Sequence, residues 1–473
     1  MILIIVWDGL RPDMVTPDRT PFVARMAEEG VFCRRSHAVF PTATRINSAA
    51  LSTGCYPAKH GIPDNELYVP ALEPTKTVSC ADWRFLQRMA DLEGGRLLGV
   101  PTLGEILQDH GRRMASGGSG SPGTTYLTNP TVTGPIVNWA LAWPEEAQER
   151  LTRRYGGMLG VESTASQRNR FVVHALQEVI IPAVRPDVLV LWLTEPDHTQ
   201  HARGLASSET LATLREVDAI TESLVSSLAA DPICAPLTCF LLSDHGFSTV
   251  AKHVDPDGDL QAAGFGVPNI VRASNSLFLG EATRDRIDKL LRFLASRHWI
   301  GALFLRDDLL QECPGAMPQS AVYSQHRRAA EVMFSYRWWD APNEHGVPGA
   351  VCYPGSYLGI HGSASPYALN NTLIAWGEGI KRGVTSDVPC GIVDVAPTVL
   401  HLLGIKAPAD MDGRVLHELL SDGPHPVSLT ATTDQTLAHY ESQDGIRCQA
   451  AYYSEVADRR YLDRVEWQRD RDG

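Results

Sequence analysis

Three apolar runs of strand length organise the chain, and each ends in a carboxylate. Ile2–Trp7 runs into Asp8, residues 187–194 (D-V-L-V-L-W-L-T) lead to Glu195, Pro196 and Asp197, and residues 237–243 lead to Asp244 and His245. Uninterrupted apolar runs suit strands buried on both faces, which are mostly parallel. Ligand sites of open α/β sheets lie beyond the carboxyl ends of such strands. Helical patterns alternate with these runs: residues 21–29 behind Thr20 and closed by Gly30, 100–110, 167–181 and 209–229. Residues 115–135, rich in Gly, Ser, Thr and Pro, predict a loop or hinge. Towards the end, residues 373–376 predict a returning strand and 393–403 a helix stopped by Gly404. Tyr-rich alternation over 447–465 predicts a hairpin.

The stretch from Phe40 to Asn65 is the centre of the candidate chemistry. It predicts a helix from Thr44 to about Thr53, stopped by Gly54. In the first turn, Thr44 has backbone N–H groups and the helix dipole beside it, so an anion brought there is stabilised. Thr44 is therefore a candidate nucleophile. Thr is also a common N-cap, and in this stretch taken alone capping is the simpler role.

The alternation predicts an α/β fold with a mostly parallel central sheet flanked by helices. The catalytic core comprises residues 1–250 and 355–420, split by an inserted cap-like segment at 251–354 with its own strand, helix and strand at 276–279, 283–297 and 301–305. Residues 421–473 form a C-terminal tail expected to pack on the core. A net charge of −13 argues against a nucleic-acid backbone as a broad partner, because such binding needs a basic face. No 20-residue apolar run is present, so no membrane span is expected. The opening apolar run lacks a basic flank and reads as a strand rather than a signal peptide. Nine cysteines, Cys313 among them, without C-x-x-C spacing favour reduced thiols and a cytoplasmic protein. The oligomeric state is left open.

Asp8, Asp197, His201, Asp244, His245 and His361 fall at or near strand ends. Asp197 and His201 are four apart, so one helical turn places both on one face, where they can grip one ion. Asp244 and His245 are adjacent and can turn to one ion from a loop. Mixed carboxylate and imidazole ligation suits zinc or a similar divalent ion. Singly, each residue reads as a surface charge or a hydrogen-bonded loop residue; jointly they read as a metal constellation.

W-D-G-L at Trp7–Leu10, P-T-A-T-R-I-N, H-G-I-x-x-N from His60 to Asn65, E-P-D-H-T-Q-H from Glu195, S-D-H-G-F from Ser243 and I-H-G from Ile360 resemble, in order and spacing, the alkaline phosphatase superfamily and within it the nucleotide pyrophosphatase/phosphodiesterase branch. The resemblance implies an alkaline-phosphatase-like core and two divalent ions per chain, zinc or alternatively manganese. One would be held by Asp197, His201 and His361, the other by Asp8, Asp244 and His245. It implies Thr44 as the attacking alkoxide on the second ion, a phosphoryl-Thr intermediate, and Asn65 as a phosphoryl-oxygen ligand. The expected activity is hydrolysis of a small phosphate diester. The alternative is a phosphonate hydrolase of the phosphonoacetate type, or a phosphomonoesterase, on the same two-metal core.

The chain departs from that branch where Arg45 stands in place of the usual aromatic residue after the nucleophile. This puts a base slot in doubt and makes Arg45 a candidate contact for a phosphate, phosphonate or carboxylate, or else a solvated helix residue. Gln200 replaces a usual Gly beside His201. His60 and His198 read as supporting residues, and Lys59 and Lys252 as solvated.

Overall fold

The computed structural model describes residues 1–266, 269–310, 316–442 and 445–468. Nine strands form the central sheet, in the order Val384–Ser386, Val31–Cys33, Leu373–Gly377, Thr238–Leu242, Ile2–Trp7, Val188–Leu193, Met114–Gly118, Ile136–Asn138 and Ala142–Trp143. Only Leu373–Gly377 and Ala142–Trp143 run against the others. The register is level at the centre: Ile2 lies opposite both Thr238 and Val188, and Trp7 opposite Leu193. Asp8, Asp197 and Asp244 therefore leave the sheet from the same carboxyl edge.

Strict alternation along the first strand divides the interior. Ile2, Ile4 and Val6 enter one core with the Thr44–Thr53 helix; Leu3, Ile5 and Trp7 enter the other, under the Pro21–Glu29 and Ser208–Ala230 helices. The Thr44–Thr53 helix is buried on nearly every side, which its small residues Ser48, Ala49, Ala50 and Ser52 permit. Gly54 ends it in the left-handed region at φ 64°, and a Cβ there would lie 2.9 Å from Met411 Sδ and 3.2 Å from Pro397 Cδ.

Residues 115–135 are not a hinge. They begin inside the buried strand Met114–Gly118 and continue through the helix Pro122–Leu127, capped by Ser121. The small residues are there for packing: a Cβ on Gly117 would lie 2.8 Å from Leu176, and one on Gly118 2.4 Å from Thr125. The segment after the third acidic strand end builds two further sheets. Ser248–His253 pairs with Pro348–Tyr353 and Gly359–Ile360. Ser276–Leu279, Val332–Tyr336 and Ile300–Leu305 form the middle of a five-stranded sheet backed by the Arg284–Ala295 helix. The tail is a three-stranded sheet, Thr432–Ser442, Gly445–Val456 and Arg459–Gln468, one strand larger than the expected hairpin. It touches both neighbours: Gln449 exchanges hydrogen bonds with the backbone of Leu303, and the Tyr461 hydroxyl donates to Asp394 at 2.9 Å. Cys33, Cys55, Cys80, Cys234, Cys239, Cys352 and Cys390 are buried free thiols, while Cys313 lies outside the described residues. No described helix is long and apolar enough to cross a membrane.

Candidate active site

The six acidic and imidazole side chains converge at the carboxyl edge of the sheet. Asp197 and His201 lie on one face of the helix Asp197–Arg203, with Asp197 Oδ1 3.2 Å from His201 Nε2 and 3.3 Å from His361 Nε2. His245 Nε2 lies 3.1 Å from Asp244 Oδ2 and 3.4 Å from Asp8 Oδ1. The His245 and His361 rings stack with centroids 3.7 Å apart. Among the described residues, two groups hold ligand atoms mutually within 4.8 Å: Asp197, His201 and His361, and Asp8, Asp197 and His245. Asp197 is common to both, and Asp244 stands beside the second through its contact with His245.

The hydrogen bonds of the three imidazoles fix how they face the cluster. His201 Nδ1 donates to Gly359 O at 2.8 Å, His361 Nδ1 to Thr42 O at 2.8 Å and His245 Nδ1 to Gly246 O at 3.0 Å. A carbonyl oxygen only accepts, so in a neutral imidazole Nε2 keeps its lone pair, aimed at a carboxylate. Two acceptors face to face require a proton or a cation between them. Asp8 Oδ1, Asp197 Oδ1 and Asp244 Oδ2 are buried without a hydrogen-bond partner. Tetrahedral bonds of about 2.0–2.1 Å, as for zinc, set ligand atoms roughly 3.3 Å apart, close to the separations between Asp197 and its two imidazoles. The donor set and its spacing thus fit a divalent ion.

Electrostatics point the same way. Burial pushes the Asp8 carboxyl well above its usual range, with Asp244 and Asp197 adding to the effect. Burial likewise raises Asp244 to about 8. Burial would raise Asp197 as well, but His201 and His361 against it hold it well below the usual carboxylate range. Burial lowers His245 and His361, whereas in His201 the neighbouring Asp197 outweighs it and raises the imidazole. Three carboxyls in one dry pocket cannot all ionise without a compensating cation.

Thr44 is the first residue of its helix, and Ala43 holds the cap position, so the Thr44 hydroxyl is not spent on capping. Its Oγ1 lies 3.4 Å from His245 Nε2. The Arg45 N–H donates to Asn65 Oδ1 at 3.0 Å, tying Asn65 to the same helix turn. Arg45 is not a freely solvated helix residue: its Nη2 donates to Ser121 Oγ at 3.2 Å. Gln200 is buried and donates to Gly9 O at 3.0 Å, bracing the turn after Asp8. His60 is buried and accepts from Ile62 N–H, His198 is exposed, and Lys59 is paired with Asp412 at 2.6 Å.

Several supporting residues were not anticipated. Trp192 Nε1 donates to Asp8 Oδ2 at 3.1 Å, and Gly9 N–H to Asp244 Oδ1 at 3.1 Å. The Phe247 ring packs against His201 and His361 at 4.9 and 5.5 Å. The Trp in an otherwise aliphatic strand was a usable signal, because a buried indole N–H needs a partner.

A large, mostly parallel sheet with carboxylates and imidazoles at its carboxyl edge, beside a Thr at a helix N-terminus, defines an alkaline-phosphatase-like fold. Solved structures of murine and human ectonucleotide pyrophosphatase/phosphodiesterase 5 share it, with TM-scores of 0.61 and 0.63 and 16% and 17% identity, covering 89% of this chain and 100% of theirs. An inactive variant of the murine protein, solved in complex with AMP, superposes with a TM-score of 0.62 at 18% identity, covering 89% of this chain and 99% of that one. The type I phosphodiesterase / nucleotide pyrophosphatase family model matches residues 2–287, and the chain belongs to that family. Venom phosphodiesterase 2 of Crotalus adamanteus is 24% identical over 246 residues, 52% of this chain and 25% of that protein. Human ectonucleotide pyrophosphatase/phosphodiesterase family member 1 is 25% identical over 227 residues, 48% of this chain and 21% of that protein. The matches thus span a quarter or less of these relatives.

Proposed function

We propose that this chain hydrolyses small phosphate diesters in a metal-dependent reaction with Thr44 as the nucleophile. The observation that carries this reading is the Thr44 hydroxyl, uncommitted to its cap and 3.4 Å from His245, beside a cluster with three unpartnered carboxylate oxygens. Asp197, His201 and His361 would hold one divalent ion and Asp8, Asp244 and His245 a second, with Asp197 near both; zinc suits these donors and manganese is the alternative. Bound there, such ions would lower the pKa of the Thr44 hydroxyl and neutralise charge on the leaving oxygen.

The chain's own groups do the remainder. Thr44 Oγ1 forms the new bond to phosphorus as the bond to the leaving alcohol breaks, giving phosphoryl-Thr44. Water then attacks that phosphorus, restoring the hydroxyl and releasing a monoester. Asn65 has its Oδ1 committed to Arg45, so its Nδ2 is the group it offers to a phosphoryl oxygen. The AMP bound by the inactive murine relative is a monoester of the kind this reaction would release.

The test is turnover of bis-p-nitrophenyl phosphate by the zinc-loaded protein. A chelator should abolish it and zinc restore it. Thr44→Ala should lose on the order of 10³-fold or more, with Thr44→Ser keeping part of the activity. Normal turnover by Thr44→Ala would refute the assignment.

A further inference from the structure

Arg45 is the one residue from Phe40 to Cys55 that is not buried; every other side chain in that stretch is enclosed. It follows the nucleophile directly, and its backbone is pinned by Asn65, so its side chain leaves the helix at the open lip of the site. That lip is formed by the other partly exposed residues, Asn65, Ser121, Asp197, His201 and His361.

What the guanidinium meets there is little. Among the described residues its one side-chain hydrogen-bond partner is Ser121 Oγ at 3.2 Å, a hydroxyl already engaged with Thr124 Oγ1 at 2.8 Å. Its Nε is buried with no partner, and no described carboxylate pairs with it. Three other arginines with little exposure are neutralised. Arg11, near the same edge, chelates Asp13 and donates to the carbonyls of Phe247 and Pro348. Arg328 is paired with Glu93, and Arg414 with Glu418. A planar fork of donors held half out of water without a counter-charge is costly unless an anion completes it. Because Arg45 follows Thr44 directly and its N–H is bonded to Asn65, the fork stands beside the phosphoryl group that Thr44 would attack, on the solvent side.

We propose that Arg45 and Ser121 form a second anion subsite, and that the substrate is a phosphate ester carrying a further anionic group, a carboxylate or a second phosphate, near the phosphorus that Thr44 attacks. This rests on the reading of Thr44 as nucleophile and narrows its substrate class. An uncharged aryl or alkyl diester leaves the subsite unfilled.

The experiment compares p-nitrophenyl ethyl phosphate with its 2-carboxyethyl and 2-phosphonooxyethyl counterparts on the zinc-loaded full chain. The readout is the ratio of kcat/KM between charged and uncharged ester, which cancels effects common to both. Wild type should favour one of the charged esters, and the one favoured distinguishes carboxylate from phosphate. Arg45→Ala should lower that ratio by roughly 10- to 150-fold, the range for losing a hydrogen bond to a charged group. Arg45→Lys, keeping the charge but not the fork, should recover part of it. A ratio unchanged by Arg45→Ala overturns the subsite. If wild type turns over none of the esters, the diesterase reading fails, and calorimetric binding of 2-carboxyethyl phosphate, ethylene glycol bisphosphate and ethyl phosphate decides the subsite alone. An Arg45-dependent preference for a doubly anionic ligand sustains it; equal affinities in wild type and Arg45→Ala remove it.

Discussion

Thr42 is two residues before the nucleophile and does no chemistry, yet the structure makes it a joint between the two halves of the site. Its Oγ1 donates to Ser363 O at 2.8 Å and accepts the Gly362 N–H at 2.9 Å, while its carbonyl accepts His361 Nδ1–H at 2.8 Å. Thr42→Val keeps the shape and removes only the hydroxyl. Two buried backbone groups, Gly362 N–H and Ser363 C=O, then lose the partner they have in the structure. At about 1–3 kcal/mol for each unsatisfied group, the variant should lose about 2–6 kcal/mol of stability, a large share of the ~5–15 kcal/mol typical of a domain. The same loop aims His361 through the Thr42 carbonyl, which the variant keeps, so zinc affinity should weaken by less than the ~10- to 100-fold typical of removing a supporting partner outright. Equilibrium urea unfolding of the metal-free protein reads the first quantity, and competition with a chromophoric zinc chelator reads the second. Thr42→Ser should restore most of both. A Val variant within about 0.5 kcal/mol of wild type and with unaltered zinc affinity would refute the account of Thr42 as the joint.

Metal loading should release protons. Asp244, raised to about 8 chiefly by burial, is mostly protonated at pH 7, so an ion displaces roughly 0.9 proton from it there and about 0.1 at pH 9. Calorimetry in buffers of different ionisation heat measures this, and Asp244→Asn should remove the share that Asp244 contributes while leaving that of Asp8, whose carboxyl burial also raises; equal release at both pH values would contradict it. Because the folded pKa is raised, this group stabilises the metal-free fold while protonated. That contribution is full only below the ordinary carboxylate value of 3.8, falls steadily above it and is gone by about 8, whereas Asp197, held low, is already ionised across this window. Gly117→Val, far from the chemistry, should cost about 1–3 kcal/mol through overpacking against Leu176 and Val172, read as a lower Tm; an unchanged Tm would show that the strand tolerates side chains there.

The features visible in the sequence were those with local causes. The strands before Asp8, Asp197 and Asp244 showed as continuous apolar runs because both faces of each are covered. The Thr44–Thr53 helix showed because Gly54 ends it. Met114–Gly118 did not show, since a strand of Met, Ala, Ser and Gly has the composition of a loop; only the approach of Val172 and Leu176 explains it. The six cluster residues were legible by type and position. The closeness of Asp197 to both His245 and the His201–His361 pair was not, since it is a relation that sequence spacing does not encode. Trp192 and Thr42 act through one long-range hydrogen bond or a few, and such bonds leave little trace in local pattern.

The way the imidazoles are oriented has a consequence for how the site assembles. His245 takes its Nδ1 partner from the adjacent Gly246, so its ring direction is fixed locally. His201 and His361 cannot do this: they depend on Gly359 and Thr42, which are 158 and 319 residues away in sequence. The strand Gly359–Ile360 that supplies the Gly359 carbonyl is itself held by pairing with Ser248 and Thr249, at the root of the inserted sheets. The Leu358 N–H returns a hydrogen bond to His201 O at 2.9 Å, so helix and strand are cross-linked in both directions. His245 is therefore aimed within its own loop, whereas His201 is aimed through the strand Gly359–Ile360 and His361 through Thr42 beside the nucleophile. A ligand that bridges the three imidazoles would stabilise those long-range contacts by the full difference between its affinities for the formed and unformed arrangements. The sheet formed by Ser248–His253, Pro348–Tyr353 and Gly359–Ile360 thus helps to aim the imidazoles, and is not only a wall around the cleft.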